Sequence, residues 1–252
     1  MSRCAAAISA KRSGRNESDI LMGEMSETLT LVVMLVPALI IAIVFHEVAH
    51  GWTALMLGDS TAKNAKRLTL NPIRHVDPVG TLLVPGILAL AGGPIFGWAK
   101  PVPVRKDRLD NPRFGMMAVA AAGPGTNLVL AAIGAVLLGI AAANGLTAVG
   151  EEQGLLTQGL LYFILINIFL ALFNMLPIPP FDGSHILEGL MPPSWAKAYD
   201  RLRPFGMLLF VGLIALTWFA PELGVLENII GPPVNWALEQ YLALAQAVAG
   251  DG

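Results

Sequence analysis

Cysteine is almost absent from this chain of 252 residues. Cys4 stands alone, so neither an intrachain disulfide nor a cluster of thiolate metal ligands can form. Charge is scarce too: 13% of residues are Asp, Glu, Lys or Arg against 55% hydrophobic, which is far below the charge of a soluble domain. The net charge of -2 comes without any basic block, so nothing points to a nucleic-acid partner. What remains is the composition of an integral membrane protein whose partner is the lipid bilayer.

Five apolar stretches carry that reading: Leu29 to Leu57, Val79 to Trp98, Gly115 to Ala143, Leu155 to Leu176 and Phe205 to Ala220. The first, as a helix, measures about 43 Å, more than enough for a hydrocarbon core of about 30 Å. The second is interrupted by Pro85, Gly86 and Gly92-Gly93-Pro94, and the third is broken near its start by Gly123-Pro124-Gly125. Val225 to Ala249 holds Glu227 and Glu239 among apolar residues, as a weak span or an interfacial helix would. The expected fold is an all-α polytopic membrane protein of about five to six transmembrane helices, with a Gly/Pro-rich re-entrant or hairpin segment. Residues 1–28 read as a polar tail, disordered or ahead of an alternative start at Met22 or Met25. Residues 29–221 form the membrane-embedded core, and 222–252 an amphipathic or weakly spanning end.

Loop charges orient the bundle. Lys63, Lys66, Arg67 and Arg74 follow the first stretch, Lys100 to Arg113 holds five bases, and Lys197, Arg201 and Arg203 follow the fourth. Residues 144–154 hold Glu151 and Glu152 and no base. The positive-inside rule puts 58–78, 99–114 and 177–204 in the cytoplasm and 144–154 outside. Both flanks of the second stretch are then cytoplasmic, which a hairpin satisfies. The basic residues Arg3, Lys11, Arg12 and Arg15 fall outside, against the same rule.

Within the first stretch stands His46-Glu47-Val48-Ala49-His50. Positions i and i+4 share a helix face, so the two imidazoles can clasp one metal ion, with Glu47 beside them to take a proton from water. Ionisable groups inside a span are costly and mark function. A catalytic zinc needs a third protein ligand and an open position. Three candidates remain. His75 lies in a basic loop, His185 lies near a helix start, and Asp182 lies in the stretch Asn174-Met175-Leu176-Pro177-Ile178-Pro179-Pro180-Phe181-Asp182-Gly183. Three prolines there unwind the chain just where a carboxylate appears, and Gly183 permits a tight turn. Asn127 and Asn174 are amides inside apolar helices, either as interhelical glue or as a hold on an unwound substrate backbone.

With these motifs the chain resembles the site-2 protease family of intramembrane zinc metalloproteases. The resemblance rests on His46–His50, on Asn174, Pro177, Asp182 and Gly183 in the family's spacing, and on Ala122-Gly123-Pro124-Gly125-Thr126-Asn127. The stretches from Gly58-Asp59 to Asn71-Pro72 and Trp98 to Pro103 look like the small bacterial branch, which implies a bacterial inner membrane. By this resemblance His46, His50 and Asp182 hold one Zn2+ per chain, Glu47 is the catalytic base, and Asn127 and Asn174 line the substrate cleft. The implied activity is hydrolysis of peptide bonds within or near transmembrane helices of membrane proteins. The stretch Gly92 to Pro103 is expected to wall or gate a water path and to pair with unwound substrate as an added strand. Phe181 replaces the family's usual Leu and His185 its frequent Arg, with His185 expected at the surface of a helix start or beside Asp182. The chain has no room for PDZ or CBS domains, and its oligomeric state is not legible. The rival reading is a transporter or proton relay built on His46, Glu47 and His50, but no second half mirrors the first as transporter repeats do.

Overall fold

The computed structural model describes residues 17–90, 97–146 and 154–250. The turn expected at Gly92-Gly93-Pro94, the acidic pair Glu151 and Glu152, and the basic residues of the N-terminal tail lie outside these. Helix α1 runs Glu17–Met56, so the polar stretch read as a disordered tail is helical from Glu17 onward. A short α2, Thr61–Asn64, follows, and then a 3-10 turn, Pro72–His75, in which the Asn71 side chain accepts from the Ile73 N–H. Asp77 accepts from the N–H groups of Val79 and Gly80 and starts a π-helical turn, Pro78–Leu83, that continues into α3, Val84–Leu90. Pro85 and Gly86 are therefore inside helical structure. The flanks of this second apolar stretch are tied together: Trp98 N–H donates to the Gly80 carbonyl at 3.1 Å and Lys100 N–H to that of His75 at 2.9 Å. The chain returns to the side it left, as its two basic flanks require.

Helix α4, Pro112–Ala143, opens with Asn111 accepting from Phe114 N–H and Pro112 in the first turn, where a missing N–H costs nothing. It runs unbroken through Gly123-Pro124-Gly125, contrary to the expected break. Pro124 cannot donate to the Ala120 carbonyl, but neighbouring helices enclose this turn, and enclosure is what lets a span keep an internal proline. Helix α5, Leu155–Asn174, ends at the proline-rich stretch. The remaining helices are α6 (Asp182–Leu190), α7 (Pro193–Asp200), α8 (Gly206–Phe219) and α9 (Val225–Ala249).

Among the described residues, 4 helical stretches are long and apolar enough to cross a membrane: Leu29–Met56 in α1, α4, α5, and the interrupted Pro193–Phe219. Pro78–Leu88 is shorter, and α9 carries acids and two internal prolines. Lipid offers no hydrophobic reason for apolar helices to associate, so close approach at small residues must do it. The interfaces show this: Ala131, Ala135, Leu138, Ile164, Ile168, Ile230, Val234, Ala237 and Ala245 form one core among α4, α5 and α9. A Cβ on Gly134 would meet Ile164 and Phe163 at 2.9 Å, and one on Gly139 would strike the Ala245 carbonyl of α9. The C-terminal helix is thus packed into the bundle. Helices α1, α4 and α5 pack on one another and α6 packs on α4, which brings the sequence-distant motifs together.

Candidate functional site

His46 and His50 lie one turn apart on α1, both buried, with rings 4.6 Å apart and nearly perpendicular. Asn127 of α4 sets the first ring. Its Nδ2 donates to the Ala42 carbonyl at 3.1 Å and to Asn167 Oδ1 at 2.9 Å, so its oxygen must face His46. That oxygen accepts from His46 Nδ1–H at 2.6 Å. The Val119 carbonyl accepts from His50 Nδ1–H at 2.7 Å. With both Nδ1 protons committed, each Nε2 carries its lone pair. This is how a histidine that serves a metal is usually held from behind.

Both Nε2 atoms face Asp182, 136 residues beyond His46 in the chain, with Oδ2 at 3.1 Å from His46 and 3.3 Å from His50. The stretch after α5 delivers it. Pro177, Pro179 and Pro180 prevent the helix from continuing, and Asp182 becomes the first residue of α6. A Cβ on Gly183 would run into the Met175 and Leu176 carbonyls, so only glycine folds back here. Phe181 is buried edge-on against Phe173 at 4.7 Å and Phe210 at 5.7 Å, which anchors the turn.

Three potential ligand atoms, His46 Nε2, His50 Nε2 and an Asp182 carboxylate oxygen, thus converge, all within 4.8 Å of one another. With neutral imidazoles all three point electron pairs at one position, which a cation would complete. Two imidazole nitrogens and one carboxylate oxygen suit Zn2+ and leave a position for water. Space is kept for it: a Cβ on Gly123 would lie 2.5 Å from His50 Cε1 and 2.6 Å from both Nε2 atoms. Gly123 is the floor of the cradle, and any side chain there would fill it.

Glu47 is not among the three; its Oε2 accepts from the Val102 N–H at 2.7 Å. Asn174 is not drawn in either. It donates to the Leu170 carbonyl of its own helix at 2.9 Å. Asn127 is fully buried behind His46, where its oxygen supports the ring. Asn167, overlooked in the sequence, completes that support: fully buried, it accepts from Asn127 and donates to the Phe163 carbonyl. Its signal was available, being an amide deep in an otherwise apolar helix. Gly123 stood in the 122–127 element with no role given to it, and the Val119 carbonyl left no comparable signal, since a backbone role has no residue signature.

The other histidines are occupied elsewhere. His75, buried, donates from Nε2 to the Thr69 carbonyl at 2.8 Å. His185 is half-buried rather than at the surface and accepts from Arg203 at 2.8 Å. Arg203 in turn pairs with Glu188, which also holds Lys106 at 2.6 Å. Burial first, and then the Arg203 guanidinium, pushes His185 down to about 4, so it is a neutral imidazole at neutral pH. The relay and transporter reading finds no support, because each site imidazole has one nitrogen tied to a fixed acceptor and the other aimed at a shared ion position.

Comparison with known proteins agrees with this geometry. The model of peptidase family M50 matches residues 34–214, which include all three converging side chains. A Bacillus subtilis protein, YwhC, named provisionally as a zinc metalloprotease, is 38% identical over 220 residues, covering 87% of this chain and 94% of its own. Rip2 of Mycolicibacterium smegmatis, similarly named, is 26% identical over 188 residues, covering 72% of this chain and 66% of its own. MJ0611 of Methanocaldococcus jannaschii, again so named, is 39% identical over 115 residues, 46% of this chain and 54% of its own. No solved structure is a significant match. A zinc-suited trio on membrane-spanning helices, inside a family match that covers most of the chain, places this multi-pass membrane protein among the zinc metalloproteases of peptidase family M50.

Proposed function

We propose that the protein hydrolyses peptide bonds within or near transmembrane helices of other membrane proteins, with His46, His50 and Asp182 holding the zinc and Glu47 as general base. One observation carries the reading. Two of the three converging side chains, His46 and His50, stand on α1 inside its membrane-crossing part, Leu29–Met56, and Asp182 of α6 meets them there, so a substrate must come to the trio within or beside the bilayer. Bound zinc would polarise the scissile carbonyl and make water more acidic. The chain supplies the rest. Asn127 and the Val119 carbonyl hold each imidazole by Nδ1–H and keep it aimed, and the carboxylate of Asp182 offsets positive charge in a medium that solvates it poorly. Glu47, next to His46, takes a proton from the attacking water as the new C–O bond forms. It gives that proton to the departing amine as the C–N bond breaks.

A cleavage assay with a panel of single-span proteins reconstituted beside the purified protease tests this. Glu47→Gln should keep its zinc and lose turnover by roughly a hundredfold to ten-thousandfold. Wild-type turnover in Glu47→Gln would remove Glu47 from the chemistry.

A further inference from the structure

Between α3 and α4 an extended strap, Trp98 to Arg105, crosses α1 towards its C-terminal end. It is fastened at several points. Trp98 accepts at its carbonyl from Thr81 Oγ1–H at 2.9 Å, and the Lys100 carbonyl accepts from Arg67 at 2.7 Å. Further on, Arg105 N–H donates to Asp59 Oδ2 at 2.6 Å, where Asp59 is fully buried. Midway between these ties lies Pro101-Val102-Pro103. Both prolines lack an N–H and have a fixed φ, so of these three residues only Val102 has a donor to give. That donor goes to Glu47 Oε2 at 2.7 Å.

The approach is close on the α1 side as well. A Cβ on Gly51, next to His50, would lie 2.9 Å from Val102 Cγ1, and Val102 itself is buried. A glutamate on a helix has three side-chain torsions to fix, and nothing else in the described structure bonds its carboxylate. A hydrogen bond to a charged acceptor from a rigid backbone is a strong and directional restraint.

We propose that this strap is the positioning device of Glu47: the Val102 amide holds one carboxylate oxygen so that Oε1 is left to take the proton. Val102 acts through Glu47 and touches no reacting atom. The proposal rests on Glu47 being the base, and it assigns the strap's central amide to that residue instead of to a substrate strand.

The test replaces only the N–H. The α-hydroxy analogue of valine, incorporated at position 102 of the full-length protein, turns the amide into an ester and keeps the side chain. Val102→Ala, which keeps the amide, is the control. Zinc content, kcat and KM are measured for both on a substrate that the wild type cleaves. The ester should lower kcat roughly tenfold to a hundredfold with zinc and KM unchanged, the loss of one charge-assisted bond. Val102→Ala should stay within about threefold of wild type on the same scale. An ester with wild-type kcat overturns the proposal. So does an ester that loses zinc or raises KM at constant kcat, since the strap would then serve the metal or the substrate. Failure of the base reading is seen separately, as turnover that survives in Glu47→Gln.

Discussion

Asn127 shows how much one side chain decides here. A single amide, fully buried, fixes the tautomer of His46, ties α4 to the Ala42 carbonyl of α1 and engages Asn167 of α5. Replacing it by Leu removes the acceptor of the His46 Nδ1 proton, so the ring is free to turn and its Nε2 lone pair is no longer aimed. Zinc affinity of Asn127→Leu should fall about ten- to a hundredfold, measured by competition with a chelator. Asn174→Leu should leave it unchanged, because that amide bonds to the Leu170 carbonyl of its own helix. Equal effects would mean that both amides serve the site. Sequence alone ranked the two alike, since each is an amide in an apolar helix. What separates them is the direction each faces, and helix pitch does not reveal that until the neighbours are placed.

Helices are held here by what they lack. Gly134 and Gly139 let α4 approach α5 and α9 so closely that an added Cβ would meet Phe163 and Ile164 at Gly134, and the Ala245 carbonyl and Val248 at Gly139. Gly139→Val should therefore push α9 off the bundle and cost about 1–3 kcal/mol of stability, visible as a lower thermal midpoint in detergent. Zinc binding at low temperature should persist, as α9 supplies no site residue. An unchanged midpoint would show that α9 is loosely seated. The apolar stretches themselves were plain in the sequence, because a spanning helix is written as a long uncharged run. The course of α4 through Pro124 was not. Proline breaks an isolated helix but not one whose turn is enclosed by partners, and enclosure is a tertiary property. The C-terminal helix was ambiguous for the same reason: its acids counted against a span, while its small residues suit a close packing partner.

Across the whole molecule, the three basic loops meet at one end. Arg105 N–H reaches Asp59, Lys106 reaches Glu188, and Arg113 reaches the carbonyls of Gly189 and Met191. Asp182 is delivered from the same end, so the metal trio lies beneath it. The positive-inside rule puts that end in the cytoplasm. With the native thiol removed as Cys4→Ser, Lys63→Cys and Asp107→Cys should both react with an impermeant maleimide from the cytoplasmic face, and Leu146→Cys from the opposite face. Labelling of Lys63→Cys and Asp107→Cys from different sides would contradict the hairpin between them. The sequence reading reached the trio because each member stands in a distinctive motif. The strap's hold on Glu47 was hidden, because a backbone N–H looks the same at every residue.

The central claim is that His46, His50 and Asp182 together hold one zinc. The direct measurement is the zinc content of purified wild-type protein beside Asp182→Ala and His185→Ala. The two changed residues lie three apart on α6, yet only Asp182 faces the imidazoles, and His185 is turned to Arg203. One zinc per chain is expected in the wild type and in His185→Ala, with a sharp loss in Asp182→Ala. Zinc kept in Asp182→Ala and lost in His185→Ala would make the third ligand a histidine and contradict the account.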